Sequence, residues 1–239
     1  MKLDILAFAA HPDDTELSCS GTLAAHIAKG YKVGVVDFTR GEMGTRGSAE
    51  LRDHEALDAA RTLGLSVRDN LGFEDVFFAV DKHHLHEVVC KIRQYQPGIV
   101  IANAVHDRHP DHGKAAKLVT EAIFLAGLRK YETHDEDGNK QEPWRPDAVY
   151  HYIQSLYIKP DIVVDISDYW DRKVEAIQCF KSQFYDPESD EPETFISKPG
   201  FMKFLESRAR EFGYVIGAEY GEGFTVERYP GVQDLFNLK

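Results

Sequence analysis

Ile5-Leu6-Ala7-Phe8-Ala9-Ala10-His11-Pro12-Asp13-Asp14-Thr15-Glu16 decides the fold of this chain and points to its chemistry. The six apolar residues read as a short strand buried on both faces, and metal-ligating residue types follow it without a spacer. The arrangement recurs: Ile99-Val100-Ile101-Ala102 is a second apolar run, and His109-Pro110-Asp111-His112 stands just beyond it. A single His-Pro-Asp can be a turn whose aspartate caps the next helix, and Asp111 occupies such a position. Two copies, each past a strand, point instead to one shared site for metal-assisted hydrolysis.

Around these anchors, strand-like and helix-like patterns alternate. Val33-Gly34-Val35-Val36-Asp37-Phe38 reads as a strand leading into the Gly-rich loop 39–47. Helices are expected over 20–29, 49–63, 82–95 and 111–127, with Gly64 closing the second and Pro110 opening the last. Later strands are expected at Tyr150–Ile153 and Ile162–Ile166, and later helices over 168–182 and 200–213. The pattern predicts an α/β fold, a mostly parallel sheet with helices on both faces and an elaborated C-terminal part, in one domain over 1–239. In such a sheet the ligand site lies beyond the carboxyl ends of the strands, where both His-Pro-Asp elements fall. The hydrophilic stretches 132–147 and 185–194 read as surface loops or lids.

Composition narrows the function. Against 28 basic residues stand 40 acidic ones, a net charge of -12, which disfavours nucleic acid and anionic membranes as partners. No secretory leader is visible, and no apolar run approaches the ~18 residues of a membrane span, so the expectation is a cytoplasmic protein. The three cysteines, Cys19, Cys90 and Cys179, form no CxxC pair and read as buried thiols of a reducing compartment. The Gly-rich loop matches neither the P-loop nor GxGxxG, so nucleotide binding is not expected.

Pro12 biases His11 toward an extended backbone at the strand's end. A helical turn after Pro12 puts His11 and Asp14 on one side and directs Asp13 elsewhere. His11, Asp14 and His112 then make two imidazoles and a carboxylate, a ligand set for zinc that ferrous iron also accepts. Cys19 is near enough in sequence to be an extra ligand, but the three residues suffice without it. Metal coordination lowers the pKa of water from ~16 to roughly 7, and Asp13 is the candidate general base. His109 and Asp111 read as an orienting pair, the carboxylate favouring an imidazolium that stabilises an oxyanion or protonates a leaving amine. The cluster His83, His84 and His86 reads as a polar helix face.

Together these motifs resemble the LmbE/PIG-L family of metal-dependent N-acetylglucosaminide deacetylases. The resemblance implies a Rossmann-like domain in which His11, Asp14 and His112 bind zinc. It further implies that Asp13 is the base, His109 the oxyanion and proton-donor histidine, and Asp111 its partner. Thr39-Arg40-Gly41-Glu42-Met43-Gly44 resembles the family's TxGExG loop, and Arg52 with Glu55 its RxxE helix. Asp107-Arg108, Lys181-Ser182-Gln183-Phe184, and Arg208-Ala209-Arg210 leading to Tyr220-Gly221-Glu222 are similar to the bacillithiol biosynthesis branch. That branch implies N-acetylglucosaminyl malate as substrate and, through the family, a homo-oligomer. An acidic protein needs local cations to bind a malyl group, and Arg46, Arg52 and Arg108 are the candidates.

Overall fold

The computed structural model describes residues 1–237. β1 (Ile5–Ala9) is an interior strand, third of the seven in one sheet, and is buried along its whole length. It pairs in parallel with β2 (Val33–Asp37) on one side and β4 (Ile99–Ala102) on the other. β3 (Val67–Asn70) extends the sheet beyond β2, and β5 (Ala148–Tyr152) extends it beyond β4, both in parallel. β7 (Gly221–Val226) runs antiparallel between β5 and β6 (Ile162–Asp165), giving the order β3-β2-β1-β4-β5-β7-β6.

The period of two along β1 explains its unbroken hydrophobicity. Leu6, Phe8 and Ala10 face a core shared with Val88, Val89 and Ile92 of α4 (Lys82–Tyr95) and Leu118 and Val119 of α5 (Pro110–Ala126). Ile5 and Ala7 face the other core, with Leu23 of α2 (Ser20–Ala28) and Tyr152. A short α1 (Asp14–Ser18) continues directly from the first motif. α3 (Ala49–Leu63) begins where Ser48 Oγ accepts from the Leu51 N–H, and it ends at Gly64, whose φ of 80° is left-handed.

Chain order runs outward from β1 through β2 to β3, then returns to the other side of β1 at β4. The carboxyl ends of β1 and β4 therefore flank a topological switch point, where open α/β sheets bind ligands. The C-terminal part adds α6 (Trp170–Ile177) and α7 (Phe201–Val215), and α7 residues help wall the cleft above the switch point.

β3 and β7 have no counterpart among the expected strands. β3 carries one aliphatic residue and three polar ones, and β7 contains two glycines, so neither shows a hydrophobic period. The helix expected over 168–182 is shorter, because residues 178–182 leave the helix and Ser182 binds Glu55 through both its N–H and its hydroxyl. The stretches 132–147 and 185–194 are largely exposed loops. Among the described residues no helix is long and apolar enough to cross a membrane.

Candidate metal centre and active site

His11 leaves the end of β1 and His112 lies in the first turn of α5, and both rings are buried at the switch point. Asp14 sits between them. Its Oδ2 accepts from the His11 N–H and from Asn103 Nδ2, both at 3.0 Å, and its Oδ1 accepts from Gln154 Nε2 at 2.9 Å. His112 Nε2 is 3.1 Å from Asp14 Oδ1, and His11 Nδ1 is 3.6 Å from Asp14 Oδ2.

The far nitrogen of each imidazole meets a carboxylate. His112 Nδ1 is 2.6 Å from Asp107 Oδ2, and His11 Nε2 is 3.1 Å from Asp75 Oδ1. A carboxylate on one ring nitrogen holds the proton there and leaves the other nitrogen a lone pair. His11 Nδ1 and His112 Nε2 face Asp14, so on losing their protons these two imidazoles with one carboxylate would suit a divalent cation. Burial opposes charge on His112, but the Asp14 charge and the Asp107 hydrogen bond outweigh it and bring its pKa to about 9. For His11, burial is likewise outweighed, by hydrogen bonds to Asp111, Asp14 and Asp75.

Asp13 adopts a left-handed backbone with φ 114° and makes no side-chain cap on α1, so its carboxylate is free of the helix. It lines the cavity beside the imidazoles. Burial pushes its carboxyl up to about 7, against the pull of the Arg52 guanidinium. Arg52 is itself buried, donating from Nη2 to Asp13 Oδ2 at 3.0 Å and to the Pro12 carbonyl at 2.8 Å, and from Nη1 to the Gly41 carbonyl at 3.3 Å. Gly41 is required there: its φ is +66°, and a Cβ would stand 1.9 Å from Arg52 Nη1.

The third imidazole, His109, has its ring centroid 4.7 Å from that of His11, and ring nitrogens of His11, His109 and His112 all lie within 4.8 Å of one another. The expected pairing of His109 with the Asp111 carboxylate needs correction. Only the Asp111 backbone N–H reaches His109, donating to Nδ1 at 3.3 Å in a helix cap. The Asp111 carboxylate turns away because stronger partners lie elsewhere: Lys114 Nζ at 2.8 Å, the Val76 N–H at 3.1 Å and His11 Nε2 at 3.4 Å. Burial, with the neighbouring charges of His11 and His112, holds His109 below its ordinary pKa. The neutral ring, accepting at Nδ1, carries its proton on Nε2 and is a hydrogen-bond donor.

The arginine expectations divide. Arg108 is exposed at the mouth of the cavity, its guanidinium 4.5 Å over the Phe195 ring, with no carboxylate partner among the described residues. Arg52 reaches the cavity but spends its hydrogen bonds on Asp13 and two backbone carbonyls. Arg46 lies outside the cavity, contrary to expectation. It donates to the Ser182 carbonyl and Ser189 Oγ, both at 3.0 Å, because the neighbouring 182–191 segment supplies acceptors at closer range.

Asp75, Gln154 and Asn103 went unrecognised in the sequence. Asn103 and Gln154 each follow a legible strand, β4 and β5, which is the one signal that could have found them, whereas Asp75 follows β3, which has no hydrophobic period. Cys19 is fully buried and joins no candidate metal cluster, and His84 Nδ1 pairs with Asp81 at the start of α4. The whole cavity encloses about 320 Å³.

Comparison with known proteins agrees with this geometry. Residues 6–123 match the PIG-L family model, described as GlcNAc-PI de-N-acetylase. The diacetylchitobiose deacetylase of Thermococcus kodakarensis is 30% identical, over 95% of this chain and 84% of that protein. A 4-oxalmesaconate hydratase of Pseudomonas putida is 28% identical over 74% of this chain and 73% of its own. A probable N-acetyl-alpha-D-glucosaminyl L-malate deacetylase 2 of Bacillus cereus is 25% identical over 77% of this chain and 84% of its own. Among solved structures, the conserved protein TT1542 from Thermus thermophilus superposes with a TM-score of 0.85 at 35% identity, covering 97% of this chain and 98% of that one. With its strand-end motifs, its buried imidazole cluster and these relatives in agreement, the chain belongs to the PIG-L/LmbE family of metal-dependent deacetylases.

Proposed function

We propose that this protein hydrolyses the acetamide of N-acetylglucosamine conjugates, with zinc as its resident cation and ferrous iron as the other metal its donor set suits. The observation that carries the reading is Asp13, a buried carboxylate free of its helix and adjacent to a two-histidine, one-carboxylate cluster. A protein that only bound metal or sugar would have no use for a base there.

His11, Asp14 and His112 would hold the cation, which when bound supplies Lewis acidity toward water and the amide oxygen. Asp13 takes a proton from the attacking water, and Arg52 fixes the carboxylate that receives it. His109 donates from Nε2 to the oxygen on which charge develops. Asp111 acts at one remove, through its contact with His11 Nε2. Water adds across the C–N bond, and the products are the free amine and acetate.

Of the amino-sugar conjugates, we infer N-acetylglucosaminyl malate as the substrate. The Asp107-Arg108 and Lys181-Ser182-Gln183-Phe184 resemblances support this, as does the unpaired Arg108 guanidinium at the cavity mouth. The hydratase relative marks a second chemistry within the family's sequence range, and acetate release separates the two. Metal-replete protein should release acetate from N-acetylglucosaminyl malate faster than from N-acetylglucosamine or N,N'-diacetylchitobiose. Asp13→Asn should retain its metal and lower kcat by about 10² or more. Near-normal turnover by that variant would remove Asp13 from the mechanism.

A further inference from the structure

The cavity also carries an apolar wall to which acetamide hydrolysis assigns no role. This part of the wall is formed by Phe195 and Ile196 of the segment before α7 and by Phe201, Phe204 and Leu205 of α7. Phe195 and Phe204 stay 39% and 37% exposed, on a concave surface continuous with the metal cluster. Single apolar residues scattered over a convex surface need no explanation, but rings gathered inside a cavity mark a place for an apolar ligand.

The wall is also held in place. The Arg108 guanidinium lies 4.5 Å over Phe195, and the Arg208 guanidinium 4.8 Å over Phe204. Arg208 donates to the backbone carbonyls of Gln154 and Ser155. Gln154 is the residue whose side chain donates to Asp14, so α7 is tied directly to the metal-ligand shell. Those bonds occupy Arg208 and leave the wall to present hydrocarbon. A malyl group, two carboxylates on a short chain, gains nothing from phenyl rings.

We propose that this wall is a subsite for an apolar aryl or alkyl substituent, so that amino-sugar amides bearing such a group form a further substrate class of the enzyme. The proposal rests on the deacetylation reading for the placement of the sugar. The reaction is unchanged: water adds across the C–N bond and acetate leaves. Arg108 remains available at the mouth for an anionic group on the same molecule.

The test compares phenyl and methyl N-acetylglucosaminides of the same anomeric configuration, which differ only in the apolar group. Binding is measured by calorimetry on metal-loaded Asp13→Asn protein, where turnover does not interfere. The phenyl compound should bind at least tenfold more tightly, and Phe204→Ala and Phe195→Ala, each added to that protein, should reduce the preference to threefold or less. Phe195 lies in a loop, so its variant serves if the α7 variant fails to fold. Equal binding of the two compounds, or a preference that survives both substitutions, overturns the subsite. Acetate release by the wild type from the methyl compound reads the deacetylation itself. Its absence alongside a phenyl preference would refute the reaction and keep the subsite.

Discussion

Removing Asp107 should weaken metal binding although Asp107 is not one of the three proposed ligands. Its Oδ2 is 2.6 Å from His112 Nδ1, and its Oδ1 accepts from the Leu156 N–H at 2.7 Å. The carboxylate is fully buried and is one of two groups that raise the basicity of the His112 ring. Asp107→Ala removes the acceptor that fixes the ring's tautomer and orientation, and it orphans a backbone N–H. Loss of such an outer partner typically weakens metal affinity by about 10–100-fold, or about 1.4–2.7 kcal/mol. Asp107→Asn preserves shape and an oxygen acceptor for one of the two bonds while losing the charge, so it should fall between wild type and alanine. Competition with a zinc-binding fluorescent chelator measures all three. An alanine variant whose zinc Kd stays within twofold of wild type would refute the argument that Asp107 sets up His112 as a ligand.

Two further outcomes follow from named contacts. Arg108→Ala should raise KM for N-acetylglucosaminyl malate by about tenfold, a loss of about 1.4 kcal/mol, and scarcely alter activity on uncharged N-acetylglucosamine. Equal losses on both substrates would place Arg108 in the chemistry instead. Glu222→Ala should destabilise the protein by about 3–5 kcal/mol, read as a drop in thermal or urea midpoint, because it leaves a buried charge unpaired. Glu222 accepts from Lys173 Nζ at 2.6 Å and from the Gly21 and Thr22 N–H groups at 3.1 and 2.7 Å, so an unchanged midpoint would show the pair to be dispensable.

The sheet's centre and the motifs of the candidate metal site were legible for one reason. A strand buried on both faces must be apolar throughout, and the residues that begin the cleft follow it at once, so Ile5–Glu16 carries fold and chemistry in one line. The edges were not legible because their burial depends on partners remote in sequence. Arg68 of β3 is buried only because Asp37 and Glu16 flank it, with Nε 2.8 Å from Asp37 Oδ2 and Nη1 2.5 Å from Glu16 Oε1. Without those partners in view, Val67-Arg68-Asp69-Asn70 reads as loop, and Asp75 beyond it has no strand to follow. Side-chain direction was hidden for the same reason. The spacing of His109 and Asp111 suggests a pair, but Lys114, one turn further along α5, draws the carboxylate away. Arg46 was likewise claimed by a segment more than 130 residues distant.

Cleavage of the amide at a metal held by His11, Asp14 and His112 makes turnover depend on that metal. The most direct test is acetate release against metal content. Chelator-treated protein should lose release from N-acetylglucosaminyl malate and regain it in proportion to added zinc, saturating at one ion per chain. His11→Ala and His112→Ala should neither retain that ion nor recover. Undiminished acetate release from metal-free protein would show that the amide is cleaved without the metal.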